Sequence, residues 1–106
     1  MNFEGKWHIY EIDMWNGNYS LKTAEGFVEI KDNNIGSFQI GLISGEIEGK
    51  LVEYYGKESF EFIFEGTDEG DSISGCGWML FREKDIVKGE FRFYLGNKSA
   101  FLAKRI

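Results

Sequence analysis

Glu11, Asp13 and Trp15 end the first apolar run of the chain, and in a regular strand all three point to one face. Paired carboxylates beside an aromatic ring can work as acid and base, or as a platform for a sugar. Same-face residues of a strand stand about 7 Å apart, a spacing that ordinary solvated strand ends share. Arg105 is the other unusual placement, because it has the same parity as Ser99, Phe101 and Ala103, the set expected to be buried. An arginine there either snorkels out at a rim or pairs with a carboxylate such as Glu11 or Asp13. Such a pair is a structural ion pair or the floor of a ligand pocket. Tyr94 opens the polar stretch Tyr94-Leu95-Gly96-Asn97-Lys98-Ser99 and completes a candidate ligand-binding set of Glu11, Asp13, Trp15, Tyr94 and Arg105. Asn97-Lys98 itself reads first as a turn.

Three other features have a chemical and a plain reading. Glu65, Asp68, Glu69 and Asp71 form an acidic stretch whose spaced carboxylates resemble calcium ligands. The stretch lacks the full calcium-loop pattern, so Asp68, Glu69 and Asp71 are weak metal candidates and a solvated turn is the simpler expectation. His8 is the single histidine, which rules out multi-histidine zinc sites, and no nucleophile-elbow motif accompanies it. It reads as a partly exposed strand residue. Cys76 lies in Gly75-Cys76-Gly77-Trp78 with no neighbouring cation to activate it, so a small buried hydrophobe is expected. No catalytic residue, resident metal or cofactor is assigned.

These residues sit on a β pattern. Phe60, Phe62 and Phe64 alternate with Glu61 and Glu65. Val87, Gly89, Phe91, Phe93 and Leu95 alternate with Lys88, Glu90 and Arg92, and Phe38, Ile40 and Leu42 with Ser37, Gln39 and Gly41. A period of two marks strands with one buried face. Eight strands are expected, at about 4–14, 26–31, 35–43, 46–54, 59–65, 73–81, 86–95 and 99–105. Tight hairpins fit Asp32-Asn33-Asn34, Ser44-Gly45, Glu83-Lys84-Asp85 and Gly96-Asn97-Lys98. Longer connections are expected at residues 15–22, with room for a short helix or lid, and at residues 66–72. Consecutive hairpins give an antiparallel up-and-down meander, and glycines inside strands (Gly41, Gly49, Gly75, Gly77, Gly89) suit the bends of a closing sheet. The expectation is one all-β domain over 1–106, closing into a small calycin-like (lipocalin-like) barrel. A strongly bent open sheet or a two-sheet sandwich is the alternative.

Composition narrows the function. Twelve basic against 18 acidic residues give a net charge of −6, with no basic stripe for nucleic acid and little attraction to anionic membranes. One cysteine permits no internal disulfide, and residues 1–6 lack the pattern of a signal peptide. No apolar run is long enough to cross a bilayer, so the cytoplasm is the expected location.

Several stretches together resemble a family of short bacterial proteins of unknown function. They are Trp7, Glu11-Ile12-Asp13-Met14-Trp15, Tyr19, Gly36-Ser37-Phe38-Gln39-Ile40-Gly41, Glu65-Gly66-Thr67-Asp68-Glu69, Gly75-Cys76-Gly77-Trp78, Gly89 and residues 95–105. In that family an arginine commonly stands at the place of Cys76, and acidic residues at those of Asn97 and Lys98. The resemblance implies a single domain and brings no activity with it.

The leading expectation is a non-enzymatic binding or interaction domain with an unknown protein or small-ligand partner. A carrier of a small apolar ligand requires an open lumen, which an interior filled by Phe38, Phe60, Phe62, Phe91 and Phe93 does not leave. A small enzyme requires Glu11, Asp13 or the Asp68–Asp71 stretch to converge with Arg105 in a cleft. An acidic protein that neutralises a basic partner requires a coherent acidic surface.

Overall fold

The computed structural model describes residues 2–14, 17–19 and 26–106. Among these residues every regular element is a strand: β1 (Gly5–Met14), β2 (Gly17–Tyr19), β3 (Gly26–Ile30), β4 (Ile35–Ile40), β5 (Ile43–Tyr54), β6 (Lys57–Asp68), β7 (Asp71–Glu83), β8 (Ile86–Phe93) and β9 (Lys98–Arg105). Each long strand pairs antiparallel with the next, and β9 returns to β1. The eight-stranded meander therefore closes into a barrel, and the open-sheet and sandwich alternatives fall away. β2 is an extra three-residue strand on β1, where Ile12 has Tyr19 on one edge and Phe101 on the other. It continues the edge that β3 covers lower down, where Lys6 faces Glu29 and His8 faces Phe27. Trp15 and residues 20–25 lie outside the described residues, as does most of the connection expected to hold a helix or lid.

Two expected boundaries move. The β4–β5 turn is Gly41-Leu42, and Ser44-Gly45 lies inside β5. Gly41 adopts φ 59°, the left-handed conformation that favours glycine. Gly45 is needed elsewhere: it stands opposite Phe38, and a Cβ there would come within 2.8 Å of that ring. The expected long loop at 66–72 is also a tight hairpin, with Asp68 opposite Asp71 and the turn at Glu69-Gly70. Both turn residues have positive φ, 52° and 91°, which matches the right-handed twist of the flanking strands.

The first strand also departs from simple alternation. Its register against β9 shifts between Ile9 and Glu11, so Tyr10 is the extra residue of a β-bulge. Trp7 and Ile9 face inward; after the bulge Ile12 does so, while Glu11 and Asp13 are exposed. Without the bulge, parity would carry both carboxylates into the core.

Candidate functional site

The inner wall decides whether the barrel can hold anything. Phe38, Phe60, Phe62, Phe64, Phe91 and Phe101 all point inward and are at most 3% exposed. Facing glycines make room for these rings: Phe62 lies opposite Gly77, Phe64 opposite Gly75 and Phe101 opposite Gly89. At Gly77 a Cβ would come within 2.5 Å of the Phe62 ring. Going round the barrel, β4 and β8 are on opposite sides. Their rings nonetheless touch, with the centroids of Phe38 and Phe91 4.9 Å apart. Phe91 also meets Phe62, Phe64 and Phe101 at 5.7, 5.7 and 5.0 Å. At this level the barrel is solid. No buried side-chain nitrogen or oxygen among the described residues lacks a hydrogen-bond partner, so no polar group waits there for a ligand.

The lower end carries the β3–β4, β5–β6 and β7–β8 turns, and residues 2–4 fold across it. Phe3 is buried against Phe81 and Phe60, with centroids 4.6 and 5.9 Å away, and its carbonyl accepts a 2.8 Å hydrogen bond from the Trp7 indole. Arg105 fastens this plug. Its guanidinium lies 4.2 Å from the Trp7 ring, donates to the carbonyls of Glu4 and Asn2 at 2.5 and 2.7 Å, and pairs with Asp85 at 3.0 Å. Arg105 is thus at the rim, one of the two placements expected of it, and the carboxylate it pairs with is Asp85, not Glu11 or Asp13. The register explains this: Arg105 faces Trp7, and Asp13 is six residues farther up β1, roughly 20 Å away.

The other candidates are spread over the outside. Glu11 and Asp13 border a small open groove of about 200 Å³ with Trp78, Lys88 and Leu102. Tyr94 is 74% exposed at the upper β8–β9 turn, the opposite end from Arg105. Trp15 is outside the described residues. The expected candidate set is therefore not brought together, and the cleft required of Glu11, Asp13, Asp68–Asp71 and Arg105 does not form from them. Asp68 and Asp71 flank a hairpin tip, and no group of three or more metal-ligating side chains is found among the described residues. His8 is half-buried between Phe27 and Lys104. Cys76 corrects its expectation: it is exposed, because its parity in β7 is outward while Gly75 and Gly77 face the phenylalanines. Its neighbour across the sheet is Arg92, whose pKa is raised above the ordinary arginine value chiefly by its hydrogen bond to Glu90.

The outer wall over β5 and β6 holds what sequence reading passed over. Ile63 faces outward among charged positions and is 61% exposed. It is flanked along β6 by Glu61 and Glu65 and stands between Glu48 and Cys76 across the sheet. Two open grooves meet at it. One, of about 480 Å³, is bounded by Lys31, Ile35, Glu46, Glu48 and Glu65; the other, of about 610 Å³, by Lys50, Glu61, Trp78 and Arg92. Glu46 stands directly opposite Glu65, and neither belongs to an ion pair among the described residues. Like charges in that position cost stability. The available signal was an isoleucine at the polar parity of a strand whose other parity is phenylalanine.

No family model, no curated protein and no solved structure matches this chain.

Proposed function

We propose that this protein is a non-enzymatic interaction domain that binds a protein partner on the outer wall centred on Ile63. The carrying observation is the Phe38–Phe91 contact across the barrel, which leaves the lumen no room for a small ligand at that level and turns attention outward. Outside, an exposed apolar residue at the junction of two grooves supplies a desolvated anchor of the kind that dominates interfaces. In the smaller groove Glu46, Glu48 and Glu65 outnumber Lys31, which favours a basic partner and a fast, salt-sensitive encounter. The fold is read as calycin-like in outline, from its eight-strand up-and-down order, with a filled interior in place of a carrier's cavity.

The cytoplasm fits this reading. The exposed free thiol suits a reducing compartment, and an outer wall carrying Glu46, Glu48, Lys50, Glu61 and Lys88 is the reverse of the apolar band a lipid-facing barrel needs. Among the described residues no helix is long and apolar enough to cross a membrane.

The test is affinity capture from the source cells with wild-type protein and an Ile63→Asp variant. A basic partner retained by the wild type, lost by the variant and released by salt is the expected result. Equal retention by both, or saturable uptake of a fluorescent fatty acid by the folded protein, contradicts it.

A further inference from the structure

The hairpin of β5 and β6 outruns the barrel. β4 covers β5 only from Ile43 to Glu48, and β7 covers β6 only from Ser59 onward. The last bond to β5 on its β4 side is from the Gly49 amide to the Asn34 carbonyl, 2.9 Å. Beyond it, among the described residues, β5 pairs with β6 alone. In an antiparallel strand alternate residues turn both main-chain groups to the same edge. After Gly49 those residues are Leu51 and Glu53, so their N–H and C=O groups line an open edge. Toward its tip the ribbon is mostly in water: Leu51, Tyr54 and Tyr55 are 50%, 55% and 104% exposed and Val52 is half-buried, while Ser59 and Phe60 across from Val52 and Leu51 are buried. A two-stranded ribbon left in water is marginal by itself.

We propose that this edge binds a second copy of the chain, β5 against β5, around a two-fold axis through Val52. This surface adjoins the Ile63 wall at Lys50, which borders one of its grooves, but it does not depend on the reading given to that wall. Charge argues for a like partner. Residues 49–58 carry Lys50 and Lys57 against Glu53 and Glu58 and are neutral, in a chain of net charge −6. Two copies therefore approach here without net charge on the facing strands.

The register follows from groups already on the edge. With Val52 opposite Val52, Leu51 of each copy faces Glu53 of the other, and four main-chain hydrogen bonds use only open groups. Lys50 then lies opposite Tyr54 of the second copy, a cation–ring contact of the kind Lys104 makes with Tyr10 in this chain at 5.9 Å. Sliding two residues one way sets Glu53 against its own copy. Sliding the other way sets Glu53 against Gly49, whose amide Asn34 already holds. An edge this short buries less than the roughly 800 Å² per partner of a stable interface, so the dimer is weak and exchanging.

Sedimentation equilibrium of the full chain over a wide concentration range tests this. Wild type is expected to show a concentration-dependent monomer–dimer equilibrium. Val52→Lys and Val52→Glu, each shown folded by circular dichroism, are each expected to weaken it at least about tenfold by placing like charges on the axis. An equimolar mixture of the two variants is expected to restore the dimer. A wild-type chain that stays monomeric at every concentration overturns the proposal and leaves the edge to a strand from another protein. A dimer that either variant alone leaves unchanged also overturns it.

Discussion

One hairpin, β5–β6, is built in two ways along its length. In the upper part its inward positions alternate Ile43, Gly45, Ile47 and Gly49 with Phe62 and Phe64 across from them, and rings lie over glycines in a dry, close-packed layer. In the lower part the same strands continue as Leu51, Glu53, Tyr54, Tyr55 and Glu58, all exposed, with one edge open. Strand propensity is similar in both halves. What differs is whether the inward face meets the opposite wall of the barrel. The ring layer fills the inside of the upper part, whose outer wall carries Ile63, and the open strand edge lies below, where that layer stops.

The largest expected effect is in the layer. Phe91→Ala removes the ring that touches Phe38, Phe62, Phe64 and Phe101, and should cost about 3–5 kcal/mol in denaturant unfolding. If it costs under 1 kcal/mol, the layer is not the packed core described. At the lower end, Arg105→Met removes the donors to Asn2 and Glu4 and the pair with Asp85. A loss of about 1–3 kcal/mol is expected, with residues 2–4 released, as read by NMR order parameters. On the outer wall, Glu46→Lys relieves the opposition to Glu65 and should raise stability by about 0.2–1 kcal/mol while weakening a basic partner. The smallest effect is at the ribbon tip. Tyr55 sits at φ 52° in a two-residue turn before Gly56, so Tyr55→Asn should add about 0.5 kcal/mol.

The buried face was legible because Phe60, Phe62 and Phe64 in β6, and Val87, Phe91 and Phe93 in β8, share one parity and leave little choice of inward side. So was closure, since the sequence offers eight consecutive short strands, most of them joined by tight turns. The candidate site was less legible. Tyr10 gives no local sign of the bulge that turns Glu11 and Asp13 outward, because a bulge is set by pairing with a strand some ninety residues away. Parity set Arg105 with the buried face, to be met either by snorkelling at a rim or by a carboxylate; its partners, Asp85 and two carbonyls from residues 2–4, follow only from the register of a closed barrel. Gly41 and Gly45 look alike in sequence; only the ring of Phe38 tells which one is the turn. Ile63 stands at the polar parity between Glu61 and Glu65, a single apolar residue that strand alternation alone does not mark as a surface feature.

The central claim is that the barrel is solid at the Phe38–Phe91 layer, so binding belongs to the outer surface. Crystals pressurised with xenon test it most directly, since xenon enters dry apolar cavities. The account predicts no xenon between Phe38, Phe62 and Phe91. Ordered xenon among those rings would contradict it and return the lumen as a binding site.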